Sequence, residues 1–320
     1  MDTANKTERT LAIFFRLVRG EDLSVSKVAD EYGVSSKTIS RDMNDIKAFF
    51  AENRSMLGYA EVRYSYQQRV YRLYMKEFLT DPELLSLVKI LVASRSLNSE
   101  DMLTLVDKLR SFSSPEDRKL LNHLLEKELY HYSPVRSDVP HVTDRLWQIS
   151  KAIEEKKEIT IAYLKMDRSE ITRRVLPAAV MQSEYYFYMI AFHKTEQGQA
   201  ERFYRIDRIK HVIEHRDREM KNITFNEGEL RKHNQLMFPG KKRRVVFEFN
   251  GPSVQAALDR LPASRLIDVK NSVSVIEAET SGDGIKMWLL SQGDWVKVIE
   301  PKELADEIKK TAENMLEMYD

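Results

Sequence analysis

Through the first fifty residues, apolar side chains recur at steps of three and four, the period of a helix with one buried face. Ile39, Met43, Ile46 and Phe50 step by +4, +3 and +4 and define one stripe, while Ser36, Lys37, Ser40, Arg41, Asn44 and Lys47 lie on the opposite, polar side. Upstream, Leu11, Phe14, Phe15 and Val18 give Lys6 to Arg19 an apolar period of its own and predict a helix packed behind the first. Between the two stretches stands Ala29, with Gly33 four residues later and Ser35 just beyond. Ala is small enough for close helix approach, Gly33 supplies the positive φ that ends a helix sharply, and Ser35 is an N-cap for the next helix. Two short helices meeting at a tight turn, the second presenting Lys, Arg, Ser and Asn outward, have the chemistry of a pair that reads base edges in a major groove. The plainer alternative is a helical hairpin with a solvated polar face.

The period then changes to two. Tyr59 to Tyr64 and Arg69 to Tyr74 alternate aromatic or β-branched residues with polar ones, and Ser65-Tyr66-Gln67-Gln68 joins them, which predicts a hairpin. After a helix pair, such a hairpin is a wing, and Arg63, Arg69 and Arg72 would reach phosphates or the minor groove. The candidate DNA-binding residues are therefore Ser36, Lys37, Ser40, Arg41, Asn44, Arg63 and Arg69.

Helical spacing returns with Asp81-Pro82-Glu83, followed by Leu84, Leu87, Val88 and Leu91, and continues in Met102 to Phe112 and Pro115 to Leu129, with Ser114 as a cap. Apolar faces in such a connector pack against each other or against a partner subunit. Two prolines in Ser133 to Pro140 mark a boundary. A helix, Val142 to Lys156, leads into short strands: Glu158 to Tyr163, Ile171 to Leu176, Ala178 to Gln182, Tyr185 to Phe192, Arg202 to Ile206 and Lys210 to Arg216. Short strands behind one helix point to a small Sm- or SH3-like barrel. Farther on come a strand at Arg244 to Phe249, a helix to Leu261, strands at Val273 to Thr280 and Gly284 to Leu290, the run Gly293 to Pro301, and a closing helix Lys302 to Tyr319. That order predicts a ferredoxin-like α/β sandwich with Trp288 and Trp295 in its core. Lys241-Lys242-Arg243-Arg244, beside Pro239-Gly240, reads as a solvated basic linker. The fold class expected is α+β and multidomain: a winged helix-turn-helix over 1–76, a helical connector over 77–140, a β-barrel domain over 141–222 and a C-terminal sandwich over 242–320.

Composition narrows the chemistry. The 320 residues carry 51 Lys and Arg against 50 Asp and Glu, so any nucleic-acid affinity must be local rather than a general coating charge. With no cysteine, disulfides, thiol nucleophiles and thiolate zinc sites are excluded. No apolar run approaches the ~20 residues of a membrane span, and no signal peptide stands at the N-terminus, so a cytoplasmic location is the expectation. No Gly-rich phosphate loop and no nucleophile elbow is present. His211 and His215 are four apart in a segment that reads as strand, where that spacing makes no ligand pair. The expectation is no catalytic residues, no metal, no cofactor and no enzymatic activity.

The middle region instead gathers arginines and tyrosines on short strands: Tyr163, Arg173, Arg174, Tyr188, Arg202, Tyr204, Arg205 and Arg208. A guanidinium fork suits phosphate oxygens and a tyrosine ring stacks on a base, so these are candidate ligand-binding residues. Strand alternation puts Arg202, Tyr204, Ile206 and Arg208 on one face and Phe203, Arg205 and Asp207 on the other, with an Arg205–Asp207 pair as the structural alternative for those two.

Two of these segments carry a family resemblance. Tyr185 to Phe192 contains Phe187-Tyr188-Met189, and Arg202-Phe203-Tyr204-Arg205-Ile206-Asp207-Arg208-Ile209 follows. The pair resembles the WYL domain: the first keeps only the Tyr of the naming triplet, the second is the more specific match, and Arg173-Arg174-Val175-Leu176-Pro177 also fits. The C-terminal region is similar to the WCX-type extension that accompanies WYL domains in bacterial regulators. The resemblance implies a DNA-binding transcriptional regulator, a homodimer on double-stranded operator DNA, whose WYL domain senses a nucleotide or single-stranded nucleic-acid effector. The other reading is an accessory subunit of a nucleic-acid-processing or defence system that uses the same domains for docking. A third is a structural adaptor that binds a protein through its C-terminal domain.

Overall fold

The computed structural model describes residues 5–53, 60–75, 79–113, 115–217, 220, 224–234 and 236–319. The chain divides into two compact units, Met1–Pro134 and Val135–Asp320.

In the first unit, α1 (Lys6–Val18), α2 (Val25–Tyr32) and α3 (Ser36–Glu52) precede an antiparallel hairpin of β1 (Ala60–Ser65) and β2 (Val70–Met75). Their core is Ile13, Leu17, Leu23, Val28, Ala29, Ile39, Met43, Ile46, Phe50 and Val62. The α3 stripe is thus buried as its spacing predicts. The α1 stripe is not the expected one: Arg9, Ile13 and Leu17 face inward, while Leu11 and Phe15 remain 52% and 61% exposed. Ile13 and Leu17, four apart, form the buried stripe with Phe14 packed beside it, and a buried ion pair lies on the same side. Arg9 Nε donates to Asp42 Oδ2 at 2.7 Å and Arg9 Nη2 to Oδ1 at 3.3 Å, which ties α1 to α3. The segment before α2 joins the hairpin through reciprocal backbone bonds between Leu23 and Tyr71, at 2.9 and 2.8 Å. Three helices follow, α4 (Asp81–Ser94), α5 (Ser99–Arg110) and α6 (Pro115–Tyr130). They bury Leu84, Val88, Met102, Val106, Leu121 and Leu125. Thr80 caps α4: Thr80 N–H donates to Glu83 Oε2 at 2.8 Å, one half of a capping box. Ser114, expected as a cap, lies outside the described residues.

In the second unit, α7 (Val142–Glu154) lies across a five-stranded antiparallel sheet of β3 (Ile159–Leu164), β4 (Glu170–Ser183), β5 (Tyr186–Thr195), β6 (Gly198–Arg205) and β7 (Ile209–Glu214). The order is β6-β5-β4-β3-β7. Two expected strands are one, because β4 runs through Pro177 with a register shift between Pro177 and Ala179. Its first half pairs with β3 and its second with β5. Proline donates nothing to a ladder and marks a bulge, so the strand bends there without ending. The expected closed barrel is not found: among the described residues β6 and β7 are the two edges of an open sheet. Both faces of β5 and β6 are covered. Met189, Ala191 and Tyr204 join the core under α7, whereas Ile190 and Phe203 meet Met237, Phe225 and Leu230 from the segment around α8 (Glu227–His233).

The last region has β8 (Lys242–Phe249), α9 (Val254–Arg260), β9 (Ser264–Lys270), β10 (Val273–Ser281), α10 (Gly284–Ser291), β11 (Val296–Glu300) and α11 (Lys302–Glu317). Its antiparallel sheet has the order β11-β8-β10-β9. Three sequence expectations fail here. Gly284 to Leu290 is helical: Ile285, Trp288 and Leu289 step at helical spacing into the core, and the missing strand is β9. Trp288 is buried, but Trp295, in a short 3₁₀ turn before β11, is 46% exposed. The basic run is no linker: Lys242 to Arg244 open β8, and Arg244 bonds Glu277 and Glu300, both at 2.5 Å.

Candidate nucleic-acid interface and effector face

The turn before α3 is built as its residues dictate. Gly33 takes φ 62° at the end of α2, and the N–H groups of Gly33 and Val34 return to Asp30 and Ala29 carbonyls at 3.3 and 3.0 Å. Ser35 accepts the Thr38 N–H at 3.2 Å and caps α3. With the stripe from Ile39 to Phe50 sealed, the remaining face is fixed. Ser36, Lys37, Arg41 and Asn44 are exposed, and among the described residues none of their side chains has a partner. Ser40 is half-buried and its hydroxyl donates to the Ser36 carbonyl at 2.9 Å. Lys47 lies 4.7 Å from the Tyr71 ring and so belongs to the hairpin contact. The buried Arg9–Asp42 pair was missed in the sequence reading. Its signal is positional: Arg9 precedes Ile13 by four and Asp42 follows Ile39 by three, so both fall on buried stripes.

The hairpin treats its arginines differently. Arg63 and Arg72 are directly opposed, an unfavourable pairing unless each is neutralised. Arg63 bonds Glu61 at 2.9 Å and lies over the Tyr74 ring, while Arg72 Nε donates to Asp22 at 2.6 Å. The Asp22 carboxylate holds the Arg72 guanidinium above its ordinary pKa. Arg69, at the tip with φ 57°, is exposed and unpaired among the described residues.

On the five-stranded sheet the structure gathers most of the expected residues in two adjoining groups. In the first, Arg205 stands opposite Tyr188, lies 3.4 Å from the centre of the Tyr186 ring, and grips Asp207 with Nε and Nη2 at 3.1 and 2.6 Å. Burial raises the Tyr188 and Tyr163 phenols above their usual range, and Arg205 offsets part of this at both. Arg208 also acts on Tyr163; it lies in a 3₁₀ turn, Ile206–Arg208, so strand alternation does not extend to it. In the second group, Arg173 Nη1 donates to the Tyr204 hydroxyl at 3.4 Å, and Arg202, exposed, donates to the Glu201 carbonyl at 3.0 Å. The Tyr163 and Tyr204 rings meet edge-on at 5.1 Å and join the groups. Arg174 stands apart: its Nε donates to the fully buried Glu158 at 2.6 Å and its Nη2 to Asp217 at 3.0 Å. Tyr186 and His193 were missed. Tyr186 precedes Tyr188 by two, which in a strand puts both on one face. His193 Nδ1 is buried without a partner among the described residues, and burial, then Arg173 and Arg202, lowers its pKa. No group of three or more His, Asp or Glu side chains forms a metal site among the described residues, and none of their helices is long and apolar enough to cross a membrane.

A helix pair with an open polar face, followed by an arginine- and tyrosine-bearing sheet and a second antiparallel sheet, defines a multidomain α+β protein. The WYL domain family matches residues 144–214 and the WCX domain family residues 242–316, so the chain carries a WYL-type domain followed by a WCX-type one. Two solved structures are similar to it. One is proteasome accessory factor B/C (PafBC) of Arthrobacter aurescens, 19% identical, covering 98% of this chain and 49% of that one, with a TM-score of 0.29. The other is a CRISPR Cas-related protein, 15% identical, covering 77% of this chain and 75% of that one, with a TM-score of 0.39. The chain spans about half the length of the PafBC chain. No curated protein matches it.

Proposed function

We propose that this protein is a sequence-specific DNA-binding transcription regulator, acting as a homodimer on double-stranded operator DNA and controlled through its WYL domain. The parts are a winged helix-turn-helix over 1–76, a helical connector over 77–140, the WYL domain over 141–222 and a C-terminal domain over 242–320. The observation that carries the reading is the α3 face, where Lys37, Arg41 and Asn44 are exposed and unpaired among the described residues while the reverse side is sealed. The Lys ammonium, the Arg guanidinium fork and the Asn amide are groups that discriminate base edges. Arg69 at the hairpin tip supplies a phosphate contact, which adds affinity without sequence preference. The effector is a nucleotide or a short single strand, taken by Tyr163, Arg173, Tyr188, Arg202, Arg205 and Arg208, since these combine guanidinium donors with aromatic faces. The protein is not an enzyme and works where genomic DNA is accessible, in the cytoplasm.

The test is an anisotropy titration against a fragment of the protein's own promoter region. Lys37→Ala and Arg41→Ala are each expected to weaken binding, and wild-type affinity and specificity in both variants would overturn the assignment of α3. Arg205→Ala is expected to leave operator binding of the free protein intact and to remove its response to added short single-stranded DNA.

A further inference from the structure

Glu8, Leu11 and Phe15 on α1, and Arg19 at its C-terminal cap, are exposed. At 3.6 residues per turn they fall within about 80° of arc, a stripe roughly 16 Å long from Glu8 to Arg19. Leu11 and Phe15 are 52% and 61% exposed, and Phe49 on α3 adds a further 41% exposed ring. These rings are not loose. Phe14 contacts Phe15 and Phe49 edge-on at 5.7 and 6.0 Å and stacks on the buried Phe50 at 5.5 Å, so the patch is continuous with the core. Glu8 and Arg19 have no side-chain partner among the described residues.

The order along the stripe is acid, apolar, apolar, base. The midpoint between Glu8 and Arg19 and that between Leu11 and Phe15 coincide to within one residue, near Ile13 and Phe14. A stripe with that symmetry is complementary to an antiparallel copy of itself: a two-fold axis near Ile13 sets Glu8 against Arg19 of the second copy at both ends and Leu11 against Phe15 between them. This is the isologous contact that a two-fold dimer requires. We infer that the exposed α1 face, Glu8, Leu11, Phe15 and Arg19 with Phe49 beside it, is a docking surface for α1 of a second copy of this chain. The inference rests on the homodimer reading above and adds to it the surface, the symmetry and the charge register.

The test is a charge swap read by sedimentation equilibrium of the full chain, with circular dichroism to verify folding. Glu8→Arg alone and Arg19→Glu alone each place like charges together at both ends of the contact. Each is expected to weaken the dimer about tenfold or more. The Glu8→Arg/Arg19→Glu double variant restores opposite charges and is expected to return to within about threefold of wild type. A second arm, Phe15→Ser, weakens the dimer without touching charge. A dimer unaffected by both single swaps overturns the α1 surface and leaves the homodimer standing. A wild-type chain that is monomeric at all concentrations overturns both.

Discussion

Two cations of α3 and three arginines of the five-stranded sheet occupy opposite states. Lys37 and Arg41 project from a sealed helix with no partner among the described residues. The sheet arginines are engaged: Arg174 with Glu158 and Asp217, Arg205 with Asp207 and the Tyr186 ring, Arg173 with the Tyr204 hydroxyl. A free cation on a rigid helix binds a phosphate or a base edge without first surrendering anything. An engaged arginine responds only to a ligand that adds to its existing contacts or replaces them. The first arrangement suits constitutive recognition, and the second suits a sensor whose internal contacts rearrange when an anion arrives.

The largest expected effect separates structural from receptive arginines. Arg174→Ala leaves Glu158, fully buried, without its guanidinium. Breaking a pair of this kind is expected to be measurable as a lower urea midpoint. An unchanged midpoint would remove Arg174 from the scaffold and return it to the ligand face. Arg205→Ala orphans the Asp207 side chain, which is only 6% exposed, and is expected to cost about 2–3 kcal/mol. Arg41→Ala, on an exposed helix face, is expected to shift stability by less than about 0.5 kcal/mol. A larger loss would mean that Arg41 holds the fold rather than faces a partner. The smallest effect concerns His193. Burial and the flanking Arg173 and Arg202 depress its pKa, so the native state favours the neutral ring. The unfolded chain then binds more protons below the ordinary imidazole value of about 6.5, and stability falls as pH drops through that range toward the native-state value. His193→Gln should flatten this part of the melting-temperature profile, and an identical slope in both proteins would show that His193 does not contribute to it.

These contrasts were unevenly legible in the sequence. The α3 stripe, the Gly33 turn and the Ser35 cap are local features, written in spacings of a few residues, and they emerge as read. The rotation of α1 is ambiguous in the sequence because Ile13 and Leu17 repeat at the same spacing as Leu11 and Phe15, and the structure buries the first pair. The open sheet was hidden as well. Pro177 looked like a strand end, although a bulge carries the strand through it. Gly284 to Leu290 looked like a strand because its apolar run is short, and helix and strand are not distinguished by periodicity at that length. The Arg205–Asp207 pair was foreseen as an alternative, but the Tyr186 ring beside it was not. Arg174 and Arg173 are neighbours in sequence with different fates, since strand alternation sends one toward Glu158 and the other toward Tyr204.

The most direct measurement is the ratio of operator binding to binding of a scrambled duplex at fixed salt, for wild type, Arg41→Ala and Arg69→Ala. If α3 reads bases and the hairpin tip holds phosphate, Arg41→Ala lowers that ratio by about tenfold or more, while Arg69→Ala weakens both duplexes equally and leaves the ratio unchanged. A ratio that Arg41→Ala leaves at the wild-type value, with Lys37→Ala behaving the same way, would contradict a base-reading role for α3.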